Sequence, residues 1–98
     1  MVTLNYMIKS FAHRGLKALF DDGIKKGIQT KHVDKLLDIL DHLDAASEIR
    51  DMGYPGSGLH PLHPKSESRW AVSVSGNWRI TFKFKNGAAY DVNYEDYH

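Results

Sequence analysis

Between Trp70 and Tyr94 the chain alternates apolar and polar residues through three successive runs. Trp70, Val72 and Val74 alternate with Ala71, Ser73 and Ser75. Trp78, Ile80, Phe82 and Phe84 alternate with Arg79, Thr81, Lys83 and Lys85, and Tyr90, Val92 and Tyr94 continue the pattern. A period of two is the strand period, and it sends the two residue sets to opposite faces of a sheet. Gly76-Asn77 and Asn86-Gly87 separate the runs with the residue types of two-residue hairpin turns. A chain written this way is bound to an antiparallel meander with one apolar face, and that face needs a cover.

The first half of the chain supplies it. Met7-Ile-Lys-Ser-Phe11 reads as a short strand. His13 to Asp22 then reads as a helix with Leu16, Leu19 and Phe20 on one face and Gly23 placed to end it. A second helix is expected from Thr30, a residue type suited to an N-cap. It would bury Val33, Leu36, Leu37, Leu40 and Leu43 and turn Asp34, Asp38 and Asp41 to water. Tyr54 to Gly58 reads as a loop. The expected fold class is α+β: an N-terminal strand and two helices packed on one face of a small antiparallel sheet. The opposite face is expected to be polar and open, carrying Arg79, Thr81 and Lys83.

Ninety-eight residues allow one modest core, so a single domain over 1–98 is expected. The chain has no cysteine, which removes disulfides and thiolate chemistry and fits a reducing, cytoplasmic setting. Neither a signal peptide nor a membrane span is legible. A net charge of +1 does not mark a strong independent nucleic-acid binder. The charges are nevertheless sorted. Asp21, Asp22, Asp34, Asp38, Asp41, Asp44, Glu48 and Asp51 crowd the helical half, whereas Arg69, Arg79, Lys83 and Lys85 fall among the strands. A local basic surface and an ordinary solvated sheet face both fit that distribution.

Two segments carry groups able to do chemistry. The chain ends Glu95-Asp96-Tyr97-His98, so a carboxylate, a phenol and an imidazole follow one another directly off the last strand. Together they can accept protons, donate protons and hydrogen-bond an anion near neutral pH. Upstream, His60-Pro-Leu-His63-Pro-Lys65 places two imidazoles and an ammonium just before the meander. As a metal set, His60, His63 and His98 fit poorly. Positions i and i+3 of a strand face opposite ways, and no fourth ligand completes a tetrahedron. Trp70 and Trp78 sit on the apolar alternation and read as core residues rather than base-stacking platforms. Arg79 sits on the polar alternation beside a turn, either as a solvated charge or as a fork for a phosphate.

Read together, Met7-Ile-Lys-Ser-Phe11, the Gly15-Leu-Lys stretch, Leu59-His-Pro-Leu62, Asn77-Trp-Arg-Ile-Thr-Phe82 and Asn93-Tyr-Glu-Asp-Tyr-His98 resemble the HigB toxins of the RelE/ParE superfamily. The resemblance runs from Met7 to His98, with residues 1–6 as an extension before it. It implies a ribosome-dependent endoribonuclease that cuts messenger RNA in the A site of the small ribosomal subunit. It also implies neutralisation by a HigA-type helix-turn-helix antitoxin, with operator DNA reached only through that antitoxin. No metal or organic cofactor is implied, since the substrate's own 2′-hydroxyl attacks the phosphate. Residue by residue, His60, Asp96, Tyr97 and His98 match the family's catalytic positions, and Arg79 matches an arginine suited to the scissile phosphate. The family often has a lysine where this chain has His63, so His63 and the nearby Lys65 are both candidates for that substrate-binding charge. The two imidazoles, His60 and His98, are left unassigned between base and acid.

Two other readings share the fold. One is a ParE-like DNA gyrase inhibitor, which has no evident need for acid–base groups at these positions. The other is a catalytically inactive interaction domain, kept open by the change at His63.

Overall fold

A computed structural model of the chain describes residues 7–97; the expected extension, Met1–Tyr6, and the expected catalytic His98 lie outside the described residues. The order is α1 (Arg14–Asp22), a 3₁₀ turn (Thr30–His32), α2 (Val33–Ala45), a second 3₁₀ turn (Ile49–Met52), β1 (His60–Pro61), a third 3₁₀ turn (Lys65–Glu67), β2 (Arg69–Ser75), β3 (Trp78–Lys85) and β4 (Ala88–Asp96). The four strands form an antiparallel sheet in the order β1-β2-β3-β4, the expected meander with a two-residue strand added at one edge.

The hairpin turns follow from their residues. Asn86 and Gly87 both have positive φ, 52° and 74°, which a two-residue turn between right-twisting strands requires. A Cβ on Gly87 would also come within 3.2 Å of the Ser47 carbonyl oxygen, so the turn packs where only glycine fits. The expected N-terminal strand is found in reduced form. Residues 7–11 run parallel to β4 through two isolated bridges, Ile8 to Ala89 and Phe11 to Val92, and form no continuous ladder.

The ladder is interrupted because β4 bulges there. Thr81 pairs with Asn93 while Lys83 pairs with Tyr90, so one extra residue sits on β4 around Asp91, which has φ 52°. The Ser10 hydroxyl accepts from the Asp91 N–H at 2.9 Å and closes the kink. The bulge has a second effect. It moves Tyr90 to the face that carries Lys83, so the simple alternation expected through Tyr90, Val92 and Tyr94 breaks at its first member.

Both helices cover the other face. His13 caps α1, its Nδ1 accepting from the Leu16 N–H at 3.0 Å. Gly23 ends it in the left-handed conformation, with the Gly23 and Ile24 N–H groups returned to Leu19 and Ala18 carbonyls. The second helix differs from expectation at its start. Thr30 opens a 3₁₀ turn, the α-helical turns begin at Val33, and no side chain caps them. Within α2, Ile39 is buried with Val33, Leu36, Leu40 and Leu43, while Leu37 is only half-buried. These residues, Leu16 and Leu19 close the core against Met52, Val72, Ile80, Phe82 and Val92. Asp44 on α2 accepts from the backbone N–H groups of Met7 and Ile8 at 2.8 and 3.1 Å, tying the N-terminal segment to the helical layer. Among the described residues no helix is long and apolar enough to cross a membrane.

Candidate active site

The helix-free face of the sheet is built by register. His60 stands opposite Ala71, Ala71 opposite Thr81, and Thr81 opposite Asn93. In the adjacent row Ser73 pairs with Arg79 and Arg79 with Glu95, and on the other side Arg69 pairs with Lys83. Directly paired residues point to the same side. One face therefore carries His60, Arg69, Arg79, Lys83 and Glu95 around a central Thr81.

Each of the anchoring contacts is local. The His60 Nδ1 lies 3.0 Å from the Gly58 carbonyl oxygen. Since a carbonyl only accepts, Nδ1 is the protonated nitrogen and Nε2 is left to exchange protons. The Arg79 Nη1 donates to the carbonyls of Gly76 and Trp78 at 2.6 and 2.9 Å, which folds the guanidinium over the β2–β3 turn and leaves Nε and Nη2 as donors. The Arg69 Nη2 donates to the Thr81 hydroxyl oxygen at 3.3 Å, and the Thr81 hydroxyl in turn donates to Glu95 Oε2. Thr81 was expected on an open surface; it is 0% exposed, because these longer side chains close over it.

Tyr97 continues the alternation of Asn93 and Glu95 onto this face. Its N–H donates to the Asn77 carbonyl at 2.8 Å, and its side chain is 39% exposed. Partial burial pushes the phenol's pKa up, and the Glu95 charge adds to that. The nearby Arg69 and Arg79 charges oppose it. The phenol is therefore held protonated, as a donor, on the cationic face.

Asp96 is placed differently. It stands opposite Trp78, on the helix side of the sheet, and its charge contributes to the raised pKa of Tyr94, which burial dominates. The end of β4 thus divides the expected catalytic set: Tyr97 lies with His60 and Arg79, and Asp96 lies at the rim of the opposite face. Lys65 opens the third 3₁₀ turn and, with Pro61, Ser68, Arg69 and Trp70, lines a cavity of about 160 Å³. His63 is exposed in the loop before it and does not line that cavity. Arg69 and Glu95 also stand on this face, and the sequence reading did not count them among its candidate site residues. The signal for Glu95 was available in the alternation itself: with Val92 and Tyr94 on the apolar face, Glu95 and Tyr97 fall on the opposite one.

Behind this face lies a buried aromatic cluster. Trp78 stacks on Tyr94 with ring centroids 4.5 Å apart, and His32, 2% exposed, meets both edge-on. The His32 Nδ1 and the Tyr94 hydroxyl are 2.5 Å apart. Desolvation lowers the His32 pKa, with the Lys31 charge adding to the effect, so this imidazole is neutral in the folded protein.

An α+β chain whose open sheet face gathers imidazole, guanidinium, phenol and carboxylate groups has the functional groups for acid–base chemistry on an anionic substrate. Residues 9–98 match the HigB-like toxin family, described as the RelE-like toxin of type II toxin–antitoxin system HigB, and the chain belongs to that family. A relative, Endoribonuclease HigB of Proteus vulgaris, is 49% identical over 92 residues, which cover 94% of this chain and 100% of the relative. A type II toxin acts within a two-protein system, so an antitoxin is its partner.

Proposed function

We propose that this chain is an endoribonuclease toxin that cuts messenger RNA while it is translated, in the A site of the small ribosomal subunit. In the same reading a HigA-type helix-turn-helix antitoxin neutralises it, and operator DNA is reached only through that antitoxin. Endoribonuclease is the name of the 49% identical relative. The observation that carries the reading here is the pairing of a His60 imidazole with a free Nε2 and the Tyr97–Arg79–Arg69 cluster on one solvent-facing sheet surface.

The chemistry these groups suit is attack of a 2′-hydroxyl on its own 3′-phosphate. One proton leaves the 2′-oxygen, the O2′–P bond forms, the P–O5′ bond breaks, and a second proton reaches the departing 5′-oxygen. The products are a 2′,3′-cyclic phosphate and a 5′-hydroxyl. The free donors of Arg79, with Arg69 and Lys65 at the rim, meet the charge that builds on the phosphorane. Tyr97 donates to a phosphate oxygen or stacks on a base. Asp96 orients an imidazole or holds its tautomer, and His60 and His98 are the candidate proton carriers. His63 takes a lesser part, since Lys65 and not His63 borders Arg69.

A net charge of +1 leaves little non-specific hold on RNA, so the ribosome supplies the positioning. The test is primer extension on one message, with and without translation, using purified protein. Cuts confined to the translated message, lost in His60→Gln, support the reading. A supercoiling assay run beside it covers the gyrase-inhibitor alternative: inhibition of gyrase with intact message would replace this proposal.

A further inference from the structure

The cationic face contains a carboxylate at its centre, and a site built only to hold a phosphate has no use for one. Glu95 stands opposite Arg79 in the β3–β4 ladder, and its Oε2 accepts from the Thr81 hydroxyl. Among the described residues its Oε1 has no hydrogen-bond partner. Neither guanidinium neutralises it, because Arg79 is held by the Gly76 and Trp78 carbonyls and Arg69 by the Thr81 oxygen. The carboxylate is therefore anchored on one oxygen and open on the other, on the same face as His60, Arg69, Arg79 and Tyr97.

We propose that Glu95 is a catalytic residue of this site, the base that takes the proton from the attacking 2′-hydroxyl. This rests on the nuclease reading above and deepens it. Glu95 Oε1 removes the 2′-hydroxyl proton as the O2′–P bond forms. The P–O5′ bond then breaks, and His60, entering the step as the imidazolium with its Nδ1–H on the Gly58 carbonyl, passes its Nε2 proton to the 5′-oxygen. Both proton carriers end the step with exchanged protonation states, and water restores them.

The layout suits this division. In-line displacement needs the base and the acid on opposite sides of the phosphorus. Two interstrand spacings separate the backbones of His60 and Thr81, roughly 10 Å at about 4.8 Å each. Glu95 leans over Thr81 from one side and His60 faces it from the other, which leaves a phosphodiester between them. The charges around Glu95 come from every neighbouring element: Arg69 on β2, Arg79 on β3 and Tyr97 beyond β4. The phenol of Tyr97 is a donor on the same face. Asp96 stands opposite Trp78, on the other side of the strand from Glu95.

The experiment compares Glu95→Gln, Glu95→Asp and Asp96→Asn with the unaltered protein on one translated message under single-turnover conditions, across a range of pH. Ribosome association and melting temperature are measured alongside. Glutamine keeps an oxygen for the Thr81 hydroxyl but cannot take the proton. The expected result is a cleavage rate lowered about 10²-fold or more in Glu95→Gln. Ribosome association should stay within about twofold, and the rise of rate with pH on the acidic side of the profile should vanish. Glu95→Asp keeps that rise at a lower rate, because the carboxylate remains but falls one methylene short. Formate added to Glu95→Ala should restore part of the rate. A Glu95→Gln rate within about fivefold of the unaltered protein overturns the proposal. So does a large loss with the acidic rise intact, or a rise abolished by Asp96→Asn instead. An unaltered protein that leaves the translated message whole overturns the nuclease reading itself, an outcome seen before any variant is compared.

Discussion

On the helix side of the sheet, Ile80, Phe82, Val72 and Val92 are buried by residues that arrive from α1 and α2. On the other side Thr81 is buried just as completely, yet nothing from another layer covers it. Arg69 and Glu95, its own sheet neighbours, close over it through hydrogen bonds. Adjacent residues of one strand, Thr81 and Phe82, thus owe equal burial to different physics. One face is sealed by apolar area, which is non-directional and tolerant of detail. The other is sealed by directed polar contacts, which lose much of their worth when one partner goes. The first face makes the fold, and the second gathers the candidate site.

Breaking each face separately should show the difference. The largest effect on stability should come from Phe82→Ala, which removes a wholly buried ring from the core and costs about 3–5 kcal/mol. Thermal melting of this variant should fall by about 4–8 °C for each kcal/mol lost. Arg79→Ala opens no cavity, so its melting temperature should stay within a few degrees while cleavage of translated message falls about 10²-fold. If Arg79→Ala melted like Phe82→Ala, the separation of the two faces would be wrong. Thr81→Val sharpens the comparison further, since it keeps the buried volume and removes only the hydroxyl between Arg69 and Glu95. A stability loss of about 1–3 kcal/mol with a marked loss of cleavage is expected, and a neutral result in both assays would mean the polar closure does nothing. The smallest effect should be a slope. His32 is held neutral by burial, so its folded pKa lies below the unfolded value of 6.5. As pH falls through 6.5 the unfolded chain binds a proton that the folded chain refuses, and stability declines with acidification. His32→Gln should flatten that decline in melting temperature between pH 7 and pH 5, taken here as about two units around the imidazole range.

The meander, its two turns and the helices that cover it were legible because burial by apolar area leaves a periodic trace. Register was only partly legible. The bulge at Asp91 is set by a contact with Ser10 at the other end of the chain, and no local pattern announces it. The start of α2 was misplaced for a related reason: Thr30 has the residue type of a cap, but the chain first makes a 3₁₀ turn there. At the site, the resemblance singled out His60, Arg79 and the final residues. It named Asp96 and not Glu95, whereas register puts Glu95 on the face of the cations.

The two borders of the sheet bear on how such a surface stays in solution. An unpaired strand edge is a template for the strand of another molecule, and natural proteins blunt it. One border here ends in β1, two residues long, where Pro61 lacks an N–H to offer, and the Ser57 carbonyl already takes the Ser73 N–H beside it at 2.7 Å. The other border is occupied by residues 7–11, whose bridges flank the bulge of β4. A broad, uncovered face would ordinarily invite sheet-to-sheet stacking into fibres. Among the described residues both borders are thus short or irregular, which blunts them as templates for a strand of another molecule.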